Sequence, residues 1–278
     1  MNYVETLNQG SKALETSSNS PALDAEVLLR FVVNLSKEDL ISNRLSTIDP
    51  KKHEKYLELL KERKKGVPVA YLTGQKEFYR AKFKVNKHVL IPRPETESLV
   101  ERIIYELGGK HSLKILDIGT GSGCIIISLA RNLSNANHYF GSDDSTRALA
   151  VAEENAVAHK VKIKFIRSDL TKNTGTDYDV IVANLPYLSV LEDDSTKFEP
   201  KTALLAENNG LALYERLFKE LSVSKHRPMI YLEFGHDHAE EIKRLVEQYL
   251  PGSMVEIFRD LMGVPRFARI WRKQKPGE

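Results

Sequence analysis

The stretch Leu113–Gly123, LKILDIGTGSG, decides the fold. It opens as an apolar strand over 113–118 and runs directly into a glycine loop over 119–123. An apolar helix is expected next, over about 124–133. Beyond it, strands are expected at HYFGS (138–142), VKIKFI (161–166), YDVIVA (178–183), PMIYLEF (228–234), SMVEIF (253–258) and RFARIW (266–271). Helical patterns over about 145–158, 209–223 and 237–249 lie between them. Such alternation predicts an α/β fold, a doubly wound parallel sheet covered by helices on both faces. The connector between the last two strands is too short for a parallel crossover, so the last strand is expected to run antiparallel.

Upstream, the first 66 or so residues read as helices. Ser20-Pro21 and Asp49-Pro50 each pair a capping residue with proline at the first helical position. Leu23, Val27, Leu28, Phe31, Val32 and Leu35 follow the first start at helical spacing, and Tyr56, Leu59 and Leu60 follow the second. The run Lys51–Lys65 is rich in Lys and Arg; it reads as a solvated helix face, with a surface for an acidic or nucleic-acid partner as the sharper alternative. Gly66-Val67-Pro68 breaks the pattern. Phe78, Phe83, Val85, Val89 and Ile91 then suggest short strands, with turns at Thr73-Gly74 and Asn86-Lys87, hence a β-hairpin. Pro94 fits the start of a helix carrying Leu99, Val100, Ile103, Ile104 and Leu107. The expected domains are a helical one over 1–70 for substrate recognition, a hairpin linker over 71–92, and the α/β domain over 93–278.

Composition narrows the classes. The chain has 278 residues, 41% hydrophobic and 28% charged, with a formal net charge of +3. That excludes wholesale disorder and argues against holding nucleic acid by bulk charge, so no stable nucleic-acid partner is expected. A single cysteine, Cys124, excludes an internal disulfide and a multi-cysteine metal site. It reads as a small packing residue. His236-Asp237-His238 does not put two histidines on one helix face, so no metal is expected. No apolar run approaches a membrane span, and the N-terminus lacks the pattern of a signal peptide. A soluble, cytoplasmic, monomeric protein is expected. The basic tail from Arg266 to Lys275 reads as a solvated edge strand and fraying terminus, with a contact to a protein or RNA partner as the alternative.

In a doubly wound sheet, ligands bind outside the carboxyl ends of the strands. Gly119, Thr120, Gly121, Ser122 and Gly123 form the first such loop. A dinucleotide fingerprint would need glycine at position 124, which is Cys124, and a phosphate loop would need a lysine that is absent. Asp117 beside the loop suits instead a ligand with a positive or zwitterionic end, such as the methionine part of S-adenosylmethionine. The second strand ends in Asp143-Asp144, where an acid can accept from ribose hydroxyls. Position favours Asp143, with Asp144 next. The third ends in Asp169 and Leu170, a carboxylate and an apolar side chain where an adenine would lie. The fourth ends in Asn184, Leu185, Pro186 and Tyr187. The Asn184 side chain and the Leu185 carbonyl supply two acceptors, which can hold both N–H groups of a planar nitrogen and aim its lone pair at a methyl donor. Pro186 stiffens the loop, and Tyr187 can pack on a planar group. Positioning then does most of the work.

Carried by these and further segments, the sequence resembles the N5-glutamine methyltransferases of peptide chain release factors over nearly its whole length. The segments are DAEVLLRFVV (24–33), GVPVAYLTGQKEFY (66–79), LIPRPETE (90–97), DIGTGSG (117–123), NLPY (184–187) and FEPKTAL (198–204). The resemblance implies a seven-stranded Rossmann-like methyltransferase sheet and S-adenosylmethionine as cofactor. The GTGSG backbone, Asp143, the region of Leu170 and Asn184 would contact the cofactor. Asn184 to Tyr187 would cradle the glutamine of a Gly-Gly-Gln motif in a release factor. Two positions depart from the family pattern: Leu185 replaces the usual proline, and Leu170 an often aromatic residue. An Asn-Leu-Pro-Tyr loop is also familiar from adenine methyltransferases, so N6-adenine methylation of RNA or DNA is the alternative.

Overall fold

The computed structural model describes residues 1–190, 196–224 and 226–272. Those residues divide into two compact units. One is built on Met1–Gln75 with the described residues of 193–198, and the other on the remainder of the chain.

The first unit is helical: α1 (Tyr3–Leu14), α2 (Pro21–Val33), α3 (Lys37–Ser42), α4 (Pro50–Lys64) and α5 (Val69–Thr73). Asn2 and Glu5 form a reciprocal capping box at the head of α1. Asp49 caps α4, its Oδ1 accepting from the N–H groups of Lys51 and Lys52. Ser20 occupies the cap position of α2 but makes no side-chain cap bond; its hydroxyl and that of Ser18 turn to Asp24, which also takes Arg63 Nε at 2.8 Å. Leu28, Leu29, Val32, Tyr56 and Leu60 form the core. Leu23 falls off that stripe and is 56% exposed, because the buried face runs through Ala25, Leu28, Leu29 and Val32. The basic face of α4 is partly committed: Lys52 Nζ donates to the Val33 carbonyl, and Lys55 lies over Phe31.

Between these helices and the sheet, the chain departs from the expected pattern. Residues 69–73 form helix α5, which ends at Gly74 with φ +71°, so Thr73-Gly74 terminates a helix and does not join two strands. The hairpin is β1 (Gln75–Phe78) and β2 (Ala81–Lys84), and its turn is Tyr79–Arg80. Both turn residues have positive φ, 44° and 59°, as a two-residue hairpin turn requires. Neither carries the Gly, Asn or Asp that would advertise it. Phe78 and Phe83 meet edge to face and are buried in the core of the second unit.

The second unit holds α6 (Thr96–Leu107), β3 (Lys114–Ile118), α7 (Cys124–Asn132), β4 (His138–Asp143), α8 (Thr146–Ala158), β5 (Ile163–Arg167) and β6 (Val180–Asn184). It continues with α9 (Ala212–Ser222), β7 (Met229–Glu233), α10 (Ala239–Tyr249), β8 (Ser253–Arg259) and β9 (Pro265–Arg272). The strands make one seven-stranded sheet in the order β5-β4-β3-β6-β7-β9-β8. The five up to β7 pair in parallel, and β9 is antiparallel to both its neighbours, as the short connector demands. Apolar side chains of α6 and α7 pack one face and those of α9 and α10 the other.

β9 is therefore internal, and the expectation of a solvated edge strand is corrected. Phe267, Ala268 and Ile270 are buried, while Arg266 pairs with Asp260 and Arg269 with Glu106. The edge belongs to β8. Lys273 and Lys275 of the basic tail lie outside the described residues. No helix among the described residues is long and apolar enough to cross a membrane.

Candidate functional site

The strand order reverses at β3, which has β4 on one side and β6 on the other. A crevice opens at such a reversal. The register aligns the carboxyl ends that border it: Ile118 with Ser142 and with Ala183, and Asn184 with Glu233. A cleft of about 310 Å³ lies there, of the size that small ligands occupy. It is lined by Gly119, Gly121, Asp143, Asp169, Leu170 and Asn184, and by Leu185 and Pro186. Its wall also includes Leu90, Pro200, Thr202 and Ala203.

The glycine loop is shaped by bonds to the neighbouring strand. Gly119 and Thr120 both donate their N–H to the Ser142 carbonyl, at 2.8 and 2.9 Å. Gly119 has φ +72°, and a Cβ there would touch Leu185 Cδ2 at 3.4 Å. Gly123 faces away from the cleft; a Cβ would come within 2.9 Å of Ile127 and 3.2 Å of Ala152. Thr120 and Ser122 are buried beneath the loop. The loop thus presents Gly119 and Gly121 to the cleft and uses its other members to hold its shape.

Three acids stand at the strand ends in different states. Asp117 is 1% exposed; Thr120 Oγ1 donates to its Oδ2 at 2.7 Å, and the Ile126 backbone at the head of α7 also favours its charged form. Burial pushes its carboxyl up to about 7, against the Thr120 bond and helped by the charge of Asp143. Asp143 accepts from Gly121 N and Ser145 N, both at 3.0 Å, which ties the second strand end to the glycine loop. Burial raises its pKa as well. Asp144 beside it is exposed. Asp169 lies at the rim, where Lys172 first and then Arg216 claim its carboxylate and hold its pKa down against partial burial. Leu170 is 5% exposed and takes a left-handed backbone, φ +50°.

The Asn184–Tyr187 loop forms the opposite wall. Asn184 Nδ2 lies 3.4 Å from Thr96 Oγ1. Leu185 is 3% exposed and packed into the core, and its carbonyl shares the buried Tyr214 hydroxyl, 3.1 Å away, with the Glu233 carbonyl at 2.7 Å. A carbonyl has two lone pairs, so one remains for another donor. Tyr187 does not line the cleft; its hydroxyl sits 3.5 Å from Glu233 Oε1, and burial pushes it up to about 12, so it stays a phenol. Gly210, with φ +83°, packs so closely that any Cβ would strike the Tyr187 carbonyl. At the head of α7, Cys124 is a thiol, pushed up to about 12 by burial.

Sequence reasoning passed over four residues that build this site. Glu199, 2% exposed in its side chain, accepts from Arg93 and from Ile91 N, tying the segment before α6 to the one that walls the cleft. Thr96 and Glu233 lie buried behind Asn184, with Thr96 Oγ1 donating to Glu233 Oε2 at 2.7 Å. The acid in PMIYLEF was the available signal: it closes an otherwise apolar strand.

The arrangement is an acid-lined crevice with apolar patches, with Asp117 buried behind its glycine loop and the Asn184 amide and Leu185 carbonyl on the far wall. It suits a cationic nucleoside ligand beside a planar nitrogen. Known proteins agree. Residues 5–74 match a family described as the PrmC N-terminal domain, and residues 95–202 match one described as the methyltransferase small domain. The release factor glutamine methyltransferase of Lactococcus lactis is 36% identical over 244 residues, covering 86% of this chain and 87% of that one. The enzyme of that name from Flavobacterium psychrophilum is 39% identical over 238 residues, covering 80% and 82%. A crystal structure of a ribosomal protein L11 methylase from Lactobacillus delbrueckii shares the fold, with a TM-score of 0.51 at 17% identity over 72% of this chain and 90% of that one.

Proposed function

The chain belongs to the release factor glutamine methyltransferases, and from that premise we propose how its residues perform the reaction. The enzyme transfers a methyl group from S-adenosylmethionine to the side-chain amide nitrogen of the glutamine in the Gly-Gly-Gln motif of release factors. The cofactor, when bound, supplies a methyl group activated by a sulfonium. The residues present fit it: Asp143, whose carboxyl burial raises, lines the cleft, and the raised, buried carboxyl of Asp117 stands directly before the glycine loop, so both favour a positively charged ligand. Gly119 and Gly121 let backbone approach it, Asp143 accepts from its ribose, and Leu170 gives its base apolar contact. Thr120, Ser122 and Gly123 keep the loop in shape. Asp169 contributes at the rim, where Arg216 and Lys172 already hold it.

The single observation that carries the site assignment is the position of Asn184. It lines the cleft across from the glycine loop and has only its Nδ2 turned to Thr96. An amide nitrogen attacks poorly because its lone pair is delocalised, so the protein contributes position. Asn184 Oδ1 and the free lone pair of the Leu185 carbonyl hold the two N–H groups. Pro186 limits loop motion, and Tyr187 braces the loop from behind. Leu185 turns its side chain into the core, so leucine at this position serves packing and does not argue for an adenine substrate. The helical unit recognises the release factor, and the enzyme acts in the cytoplasm as a monomer without a stable nucleic-acid partner.

Asn184→Ala tests the assignment. Loss of one preorganised polar contact typically costs about 10²-fold in turnover. A variant turning over at the wild-type rate would remove Asn184 from its role.

A further inference from the structure

Glu233 ends β7 in register with Asn184 and is 1% exposed. Its Oε2 accepts from the hydroxyl of Thr96, the first residue of α6, at 2.7 Å. A threonine hydroxyl has one hydrogen. With that hydrogen given to Glu233, Thr96 Oγ1 can offer only a lone pair to Asn184, whose Nδ2 lies 3.4 Å away. The bonds therefore run in one direction, from the Asn184 amide through Thr96 to the Glu233 carboxylate.

The two ends of a carboxamide are nearly the same size, so partners and not shape choose its orientation. Here the NH₂ end is drawn to Thr96, which leaves Oδ1 for the cleft. We propose that Thr96 and Glu233 are positioning residues that set the polarity of the Asn184 amide and keep its oxygen toward the substrate nitrogen. This rests on the reading of Asn184 as an acceptor for the glutamine N–H. A turned amide would present hydrogens to hydrogens and lose that acceptor.

The relay depends on the charge of Glu233. Burial pushes its carboxyl up to about 7, against the Thr96 bond and the nearby Arg266 of β9. The charge of Glu95 ahead of α6 raises it, and a side-chain hydrogen bond from Asn184 at the end of β6, which draws the same NH₂ end inward, lowers it. Tyr187, Tyr214 of α9 and Cys124 of α7 complete the titratable surroundings; Tyr214 bonds the Glu233 main-chain carbonyl, at 2.7 Å. A protonated Glu233 can donate to Thr96, whose own hydrogen then turns to Asn184 and selects the wrong amide orientation. Turnover falls as pH drops through the region of that pKa.

The test uses the full chain, a release factor as methyl acceptor and saturating S-adenosylmethionine. Wild-type protein that fails to methylate the glutamine would sink the reading of Asn184 and this proposal with it. If it does methylate it, Thr96→Val should lower kcat about tenfold or more, in line with loss of a supporting hydrogen bond behind a functional group, with the KM for release factor within twofold. Thr96→Ser should restore most of the turnover. Glu233→Gln should lose the fall in kcat toward acid pH. Turnover of Thr96→Val within twofold of wild type, or Thr96→Ser impaired as badly as Thr96→Val, would overturn the proposal. An acid limb unchanged in Glu233→Gln would overturn it too, and that measurement stands even if Thr96→Val does not fold.

Discussion

The carboxylate of Glu199, almost wholly buried, accepts from the Arg93 guanidinium at 2.6 Å and from Ile91 N at 3.0 Å, joining segments 106 residues apart. Both segments wall the cleft, through Leu90 on one side and Pro200, Thr202 and Ala203 on the other.

Arg93→Ala leaves the Glu199 charge buried without its partner. Breaking a buried pair from one side costs about 3–5 kcal/mol, and the solvent-reaching Arg93 places this pair at the low end. Glu199→Gln keeps an acceptor for Ile91 N and is expected to cost less. Urea unfolding of the two variants checks the order; equal, near-zero changes would show that the pair does not hold the segments together.

Asp143→Ala is expected to weaken cofactor binding about tenfold or more, since a hydrogen bond to a charged group is worth about 1.5–3 kcal/mol. It also removes the ties to Gly121 and Ser145. Calorimetry with Asp144→Ala alongside separates the two acids. Unchanged affinity in Asp143→Ala with loss in Asp144→Ala would move the ribose contact to Asp144.

Asp117 ties stability to pH. Its folded-state pKa, about 7, lies above its ordinary 3.8. The stability this group contributes is fully present below about 4 and is lost as pH rises through about 7. Glu233 adds a change of the same sign, from its ordinary 4.5 to about 7. Asp117→Asn should therefore flatten part of the fall in Tm between pH 4 and 8 in the free protein. It should also weaken binding of the cationic cofactor at pH 8. A wild-type Tm that rises across this range would contradict the assignment.

The helical unit is expected to serve recognition. A chain beginning at Gln75 keeps the hairpin, whose Phe78 and Phe83 belong to the core of the second unit. It should bind S-adenosylmethionine as tightly as the full chain but lose activity on folded release factor. Full activity in the shortened chain would remove the recognition role.

The sequence announced the sheet clearly. Most of the strands from Lys114 onward stand next to a helical stripe in the sequence, and the short link after Arg259 forced β9 to run antiparallel to β8. It did not announce that β9 slots between β7 and β8, because strand order comes from packing across the sheet and not from local pattern. The Tyr79–Arg80 turn was hidden because tertiary packing, not turn-forming residues, holds its positive φ angles. Leu23 misled because an apolar residue at helical spacing need not face the core, and this one does not. In the site, the strand-end rule pointed to Asp117, Asp143, Asp169 and Asn184. Thr96 and Glu233 were invisible as a pair because 137 residues separate them in the chain.

The most direct test is mass spectrometry of a release factor after incubation with the enzyme and S-adenosylmethionine, with ribosomal RNA present as a competing substrate. The account predicts one added methyl on the glutamine of the Gly-Gly-Gln motif. Free glutamine should react poorly, because contacts remote from the amide hold it at attack distance. A methyl on adenine of the RNA, with the release factor unmodified, would contradict it.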